Sequence, residues 1–145
     1  MEIKQASLEN LDEIEKLSKK FNFEINRNWK DLISSDNKRM FILLDNNTIV
    51  GFSGLIEHNW NNTIQISNIF IHPNYRNKDL AKKLIQYDID AAKKTSSRCL
   101  IAEAPSLNPV KNLYEKMGFR KCGYNDRYYS NTSKEICIWM SIDLQ

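Results

Sequence analysis

Two segments of this chain carry residue types whose spacing suits ligand binding and catalysis. The first, residues 69–81, reads as a buried strand that stops at Pro73, a polar loop that contains Arg76, and the start of an amphipathic helix. The first backbone N–H groups of a helix have no partners within the helix, and they lie at the positive end of its dipole. This segment therefore predicts a binding site for a pyrophosphate.

The second segment, residues 108–119, reads as a short helix with a clear beginning and end. Asn108 is placed to cap it, Pro109 suits its first position, Tyr114 lies within it and Gly118 follows its last turn. Five residues before Asn108, Glu103 interrupts an apolar run. A partly buried carboxylate at that place has a raised pKa, as a proton acceptor requires.

Together these segments resemble the GNAT superfamily of N-acetyltransferases, which use acetyl-CoA. The family's pyrophosphate loop reads Gln/Arg-x-x-Gly-x-Gly/Ala; Arg76 and Ala81 match it, whereas Asp79 stands where the first glycine is expected. The resemblance implies that backbone groups of the preceding strand and Asn108 bind the CoA arm, and that the loop binds its pyrophosphate. The implied cofactor-binding residues are Ile69, Phe70, Ile71, Arg76, Asn77, Lys78, Asp79, Leu80, Ala81, Asn108 and Tyr114.

Asp79 departs from this pattern, and the sequence leaves two readings open. A carboxylate within ~4 Å of a phosphate charge costs on the order of 4 kcal/mol at a surface-like dielectric. An outward-pointing Asp79 instead stabilises the helix N-terminus by roughly 0.3–1 kcal/mol. Lysines around the loop are candidates to offset the charge: Lys78, Lys82 and Lys83.

Acetyl transfer to an amine needs a proton acceptor for the amine and a proton donor for the departing thiolate. The resemblance implies that Tyr114 is the general acid. The strand that precedes the loop, where some relatives carry a glutamate base, has no acid at residues 65–68. Glu103 is the candidate base, at a place similar to that of a glutamate in ribosomal-protein N-terminal acetyltransferases; Glu57 and His58 are the alternatives.

The same resemblance implies that the first two helices and the last two strands form the acceptor site. These regions carry aromatic and acidic residues, most of the aromatics being expected to pack in the core: Phe21, Phe23, Glu24, Trp29, Tyr124, Asp126, Tyr128 and Tyr129. The tail of the chain, from Gly123, is also loosely similar to streptothricin-type and other small-molecule acetyltransferases.

Hydrophobic periodicity and turn residues predict one α/β domain over residues 1–145. The predicted order is β-α-α-β-β-β-α-β-α-β-β, with a central mixed, mostly antiparallel sheet flanked by helices. The strands are expected at 3–6, 41–44, 49–57, 64–72, 99–104, 119–124 and 135–142. The helices are expected at 8–20, 28–34, after Arg76, and from Pro109.

The composition of the chain argues against several classes of partner, namely nucleic acid, membrane and metal. With 41% apolar and 27% charged residues, the chain is typical of globular proteins. The net charge of +3 suits an anionic ligand, but the basic residues are interspersed with acids, which argues against nucleic acid as a partner. No apolar run has the length of a membrane span, so a cytoplasmic location is expected. Cys99, Cys122 and Cys137 form no pair typical of metal sites, and we expect all three to be core thiols without metal.

The sequence thus favours an acetyl-CoA-dependent N-acetyltransferase that modifies a primary amine of a small molecule by direct attack. A peptide or protein N-terminal acetyltransferase of the same fold is the first alternative. A binding or regulatory module with a degenerate CoA site, suggested by Asp79, is the second. Family analogy also suggests a homodimer.

Overall fold

A computed structural model describes residues 1–145. Seven strands and four helices follow one another in the predicted order. The strands are β1 (Glu2–Gln5), β2 (Lys38–Asp45), β3 (Thr48–His58), β4 (Thr63–Ile71), β5 (Cys99–Pro105), β6 (Arg120–Asn125) and β7 (Cys137–Asp143). The helices are α1 (Leu11–Lys20), α2 (Trp29–Ser34), α3 (Leu80–Lys93) and α4 (Val110–Lys116). Residues Leu8–Asn10 form a 3₁₀ turn, so the first α-helix begins later than predicted.

All seven strands belong to one mixed sheet, in the order β1-β2-β3-β4-β5-β7-β6. Only β4 and β5 are parallel; every other pair is antiparallel. The hairpin between β2 and β3 turns at Asn46 and Asn47, whose φ angles of 48° and 67° lie in the left-handed region that asparagine tolerates. The predicted mixed, mostly antiparallel sheet is confirmed.

Helices cover both faces of the sheet and enclose two apolar cores. On one face, α3 contributes Leu84 and Ile85 to a cluster that includes Leu100 of β5. On the other face, α1 and α2 cover β2, β3 and the end of β4, where Phe52 and Phe70 stack at 5.0 Å. Burying such side chains contributes about 1.5–3 kcal/mol each. None of the helices is long and apolar enough to cross a membrane.

The cysteines are only in part where the sequence predicted them. Cys99 and Cys137 are buried, as expected. Burial also raises the pKa of the Cys137 thiol to about 11. For Cys122 the prediction is wrong, because β6 is the edge strand of the sheet and every one of its residues is exposed. An apolar run on an edge strand need not face a core.

One carboxylate is buried in the core beneath α3. Asp88 is 0% exposed and its Oδ1 accepts a hydrogen bond of 2.8 Å from Ser53 Oγ on β3, whereas its Oδ2 has no partner. Burial raises the pKa of this carboxyl well above its usual range, and the Ser53 hydrogen bond only partly opposes the rise. Asp88 is not among the residues that the sequence singled out as buried. It nevertheless follows Leu84 by four residues and so shares the apolar face of α3.

Asp88 is expected to make stability fall as pH rises. Its pKa is higher in the folded than in the unfolded chain, so its stabilising contribution is complete below the unfolded pKa near 4 and is lost as pH rises toward the folded pKa. Asp88→Asn should therefore stabilise the protein more at pH 8 than at pH 5, by roughly 1–3 kcal/mol at the higher pH. Urea unfolding at both pH values measures this difference. Asp90→Asn, on the exposed face of the same helix, is the matched control, and identical pH profiles for wild type and Asp88→Asn would contradict the prediction.

Candidate active site

The parallel pair β4 and β5 separates part-way along its length. The two strands pair from Thr63 with Cys99 to Ile66 with Ala102, and beyond this point β4 continues to Ile71 without contacting β5 in the sheet. The outer edge of β4 from Ser67 onward therefore presents backbone N–H and C=O groups that no strand satisfies. A ligand that enters this gap can use them.

A bulge in β4 begins at the same point. The register between β3 and β4 shifts at Gly54, which pairs with Asn68 while Leu55 pairs with Ile66, so Ser67 is the extra residue. Gly54 is required here, because a Cβ atom would lie 2.5 Å from Ser67 Oγ and 2.6 Å from Asn68 Oδ1. The glycine thus lets the side chains of the bulge fold over β3.

A cleft of about 710 Å³ passes through the gap between the two strands. That volume lies in the usual range of sites for small molecules and cofactors, about 300–1,000 Å³. Every residue implied for cofactor binding, and both favoured catalytic residues, line it, with the exception of Lys78. They are Ile69, Phe70, Ile71, Arg76, Asn77, Asp79, Leu80, Ala81, Glu103, Asn108 and Tyr114.

The loop before α3 has the backbone conformation that a glycine-rich loop would adopt. Asn77 and Asp79 have φ angles of 63° and 59°, in the region that favours glycine and that Asn and Asp also tolerate. Arg76 is fixed by a hydrogen bond of 3.0 Å from its Nε to the Ile71 carbonyl. Asp79 thus adopts a left-handed backbone at the position where the family pattern has glycine, and its side chain makes no cap to α3.

The three lysines around this loop differ in their position relative to the cleft. Lys82 lines the cleft, whereas Lys78 and Lys83 do not. The Lys78 ammonium lies 5.4 Å from the centroid of the Tyr75 ring, and Tyr75 itself lines the cleft. Of the three lysines considered for offsetting the charge of Asp79, only Lys82 is thus in the cleft.

The helix α4 presents Asn108 and Tyr114 from the opposite wall. The Asn108 Oδ1 accepts a hydrogen bond of 2.9 Å from the amide of Val110, the first residue of α4, and Gly118 follows the helix with a φ of 103°. Pro109 stands at the N-cap, so the helix begins one residue later than predicted. Tyr114 is 1% exposed and packs 5.0 Å from Phe119. Burial, and then the charges of Asp88 and Glu103, raise the pKa of the Tyr114 phenol far above its usual value, so it stays protonated at any ordinary pH.

Glu103 lies on β5 at the point where the strands separate. Its neighbours Ala102 and Ala104 face the α3 core, so the alternation of the strand directs Glu103 to the other face. It is partly buried, and its Oε2 has no hydrogen-bond partner. Burial raises the pKa of Glu103, the Tyr128 hydroxyl opposes the rise, and the nearby Glu24 carboxylate adds to it.

The two alternative bases lie elsewhere. Glu57 forms an ion pair of 3.0 Å with Arg39, and His58 Nε2 lies 3.0 Å from Gln65 Oε1. Neither side chain lines the cleft, since both are at the far end of β3. Among the candidates, Glu103 alone is in a position to receive a proton there.

The family resemblance places the acceptor at the end of the cleft beneath the α1–α2 loop, and the sequence identified the residues of this end only in part. Phe23, Glu24 and Tyr129 line it, as do Ser67 and Asn68 of the bulge, which sequence analysis did not single out. Trp29 is a core residue, and Phe21 and Tyr128 pack against other rings. Tyr124 and Asp126, expected at the acceptor end, are exposed on or beside β6 and do not reach the cleft. Only the shift in strand register at Gly54 reveals the bulge, and no sequence pattern marks it.

Comparison with known proteins identifies the family. The family model described as "Acetyltransferase (GNAT) family" matches residues 6–119. The chain belongs to the GNAT family. The predicted resemblance is confirmed, and so is the assignment to a family of acetyltransferases.

Relatives of this GNAT protein are named for different acceptors. It is 32% identical over 81 residues to a candidate [ribosomal protein bS18]-alanine N-acetyltransferase of Bacillus subtilis (strain 168). The match covers 54% of each chain, so it spans about half the length of that relative.

Two solved structures share the whole fold. A candidate streptothricin acetyltransferase of Bacillus anthracis str. Ames, in complex with acetyl coenzyme A, superposes with a TM-score of 0.83 at 22% identity and 98% coverage of both chains. The ribosomal-protein-S18-alanine N-acetyltransferase of Escherichia coli has a TM-score of 0.80 at 19% identity, covering 99% of this chain and 94% of its own. At such identities the likeness establishes the GNAT fold alone.

Proposed function

We propose that this GNAT protein is an acetyl-CoA-dependent N-acetyltransferase that acts on a primary amine of a small molecule by direct attack. The observation that carries the proposal is the cleft through the gap between β4 and β5. It joins an unpaired strand edge, a glycine-like loop at a helix N-terminus, a permanently protonated phenol and a glutamate of raised pKa.

The residues of the cleft suit acetyl-CoA. The edge of β4 at Ile69, Phe70 and Ile71 pairs with no strand, and its groups other than the Ile71 carbonyl, which Arg76 engages, offer hydrogen bonds to the amides of the CoA arm. Asn108 lies on the facing wall. Arg76, Lys82 and the first amides of α3 offer positive charge and donors to the pyrophosphate. When bound, acetyl-CoA supplies the activated acetyl thioester.

Two side chains of the protein then carry out the two proton transfers of the reaction. Glu103 removes a proton from the attacking amine, directly or through water, as the new C–N bond forms. Tyr114 donates its hydroxyl proton to the sulfur as the C–S bond breaks, and it regains a proton from solvent. The two side chains approach the gap from opposite faces of the sheet, since Tyr114 packs in the α3 core and Glu103 points to the other face. Positioning both reactants in the cleft supplies much of the acceleration.

The first experiment is a calorimetric titration of the purified protein with acetyl-CoA, with desulfo-CoA as the control ligand. One-site binding, followed by acetylation of members of a panel of small primary amines, would support the proposal. Absence of binding would contradict it and would favour the degenerate module. Ligand at ~100 times its dissociation constant should also stabilise the protein by about 2.7 kcal/mol in a heat-shift assay.

A second candidate function is acetylation of the N-terminal amine of a protein. The ribosomal-protein acetyltransferases among the relatives favour it, as does the place of Glu103 on β5. Turnover of N-terminal peptides, with none of polyamines, amino sugars or small aromatic amines, would select this candidate over the first.

Asp79 is expected to weaken CoA binding, because it lines the cleft beside Arg76 and Lys82, the groups proposed to face the pyrophosphate. Both Asp79→Asn and Asp79→Gly remove the negative charge of the carboxylate. Asparagine and glycine both tolerate the left-handed backbone of this position. Each variant should bind acetyl-CoA about tenfold more tightly at low salt. Asp90→Asn, which removes an equal charge from the exposed face of the same helix, serves as control. An unchanged dissociation constant in both Asp79 variants would show that the carboxylate points away from the ligand.

A further inference from the structure

The charged residues of the cleft are divided between its two ends. Arg76, Asp79 and Lys82 belong to the loop and first turn of α3, and so to one end. Glu24 and Glu103 lie at the other end, beneath the α1–α2 loop, and no lysine or arginine lines the cleft there. The acceptor end is therefore acidic.

Glu24 is held in this position by a clamp between the α1–α2 loop and the bulge. Arg27 donates a hydrogen bond of 2.8 Å from its Nε to Glu24 Oε1, and its Nη2 contacts the same oxygen. The Arg27 Nη2 also donates to the Ser67 carbonyl at 3.0 Å, which ties the loop to β4. Glu24 has a φ of 45°, a left-handed conformation that such anchoring maintains. Glu24 lines the cleft, whereas Arg27 does not.

We propose that Glu24 is a specificity-determining residue which, together with Glu103, selects cationic amines and rejects those with a carboxylate next to the amine, such as free amino acids. This inference rests on the proposed function, since it concerns the acceptor of the same site. The amine nitrogen must come close to Glu103 to lose its proton. A carboxylate on the adjacent carbon is then brought near two like charges, and such repulsion against the wrong partner is a usual source of specificity.

The groups around the two carboxylates leave the net charge of the acceptor end negative. Glu103 faces groups from three elements. The α1–α2 loop contributes Glu24 and Arg27, the segment between β6 and β7 contributes Tyr128 and Tyr129, and β7 contributes Cys137. Burial raises the pKa of both phenols and of the thiol, so these three stay neutral. Arg27 is the single cation among them, and both Glu24 and Ser67 already engage it. It is not free to receive a carboxylate of the acceptor.

The test compares L-phenylalaninamide with L-phenylalanine, which have the same shape but differ by the carboxylate next to the amine. They are assayed within a panel of primary amines with and without such a group. The wild-type kcat/KM should favour the amide, and Glu24→Gln should lower that preference about tenfold through the loss of one nearby charge. Asp126→Asn removes an equal charge from an exposed residue outside the cleft, and it should leave the preference unchanged.

A second measurement needs no variant. Raising the ionic strength from about 0.01 M to about 1 M shortens the screening length from ~30 Å to ~3 Å, so the wild-type preference for the amide should decrease. Turnover of free amino acids as fast as of their amides, or an unchanged preference in Glu24→Gln, would overturn the inference while leaving the acetyltransferase proposal intact. A wild-type protein that acetylates no amine in the panel would instead overturn the proposed function itself.

Discussion

Replacing Glu103 by glutamine should lower kcat/KM about 10²–10⁴-fold, the usual contribution of a general base. The change keeps the size of the side chain and removes only its capacity to accept a proton. In the wild type, burial and the neighbouring Glu24 raise the pKa of Glu103, so activity should fall on the acidic side at a pH above that of a solvated glutamate. Protonated Glu103 cannot accept a proton, so the loss grows as pH decreases.

The decisive readout is the pH dependence of kcat/KM with a good acceptor. Glu103→Gln should lose the ionisation that the wild type owes to Glu103, and its residual rate should follow the ionisation of the amine alone. Glu57→Gln provides a matched control, since Glu57 lies on β3 outside the cleft. An acidic limb of unchanged position in Glu103→Gln would assign the base to another group.

Replacing Tyr114 by phenylalanine should lower kcat about 10²–10⁴-fold with little change in KM for acetyl-CoA. The hydroxyl acts on the sulfur as it departs, and such an interaction is made only in the transition state. The ring remains, so its contact with Phe119 and its place in the core persist. A large fall in kcat with an unchanged melting temperature would therefore report chemistry rather than packing.

The wild-type enzyme should also keep its activity at alkaline pH. The pKa of Tyr114 is raised far above its ordinary value by burial, so the phenol does not ionise up to about pH 10, where an exposed tyrosine begins to do so. Tyr124→Phe, on the exposed strand β6, is the control for both measurements. Full turnover by Tyr114→Phe would remove the acid from the mechanism.

Sequence periodicity was sufficient for the order of the elements because each one carries a local signal. The run of apolar residues on α3, the Asn108–Pro109 start of α4 and the asparagine turn after β2 each depend on nearby residues only. The cleft residues of the loop and of α4 were likewise predictable, since they belong to two contiguous segments with family resemblance.

The features that escaped prediction depend on contacts between distant residues. The clamp of Arg27 on Glu24 and the Ser67 carbonyl joins positions 40 residues apart, and the bond between Ser53 and Asp88 joins positions 35 apart. The exposure of Cys122 depends on β7 lying between β5 and β6, an order that local patterns do not specify. Charge partners and strand order both follow from the tertiary arrangement, so one sequence alone does not reveal them.

The short parallel pairing between β4 and β5 divides the sheet into two parts that share few direct bonds. Four residue pairs join them, against eight between β3 and β4, and one part contains β1 to β4 while the other contains β5, β7 and β6. A ligand in the gap contacts both parts and would act as an additional strand that holds them together. When the cleft is filled, amide hydrogen exchange should therefore slow in β4 and in β5 together. The bound ligand would in this way stabilise the fold as well as take part in the reaction.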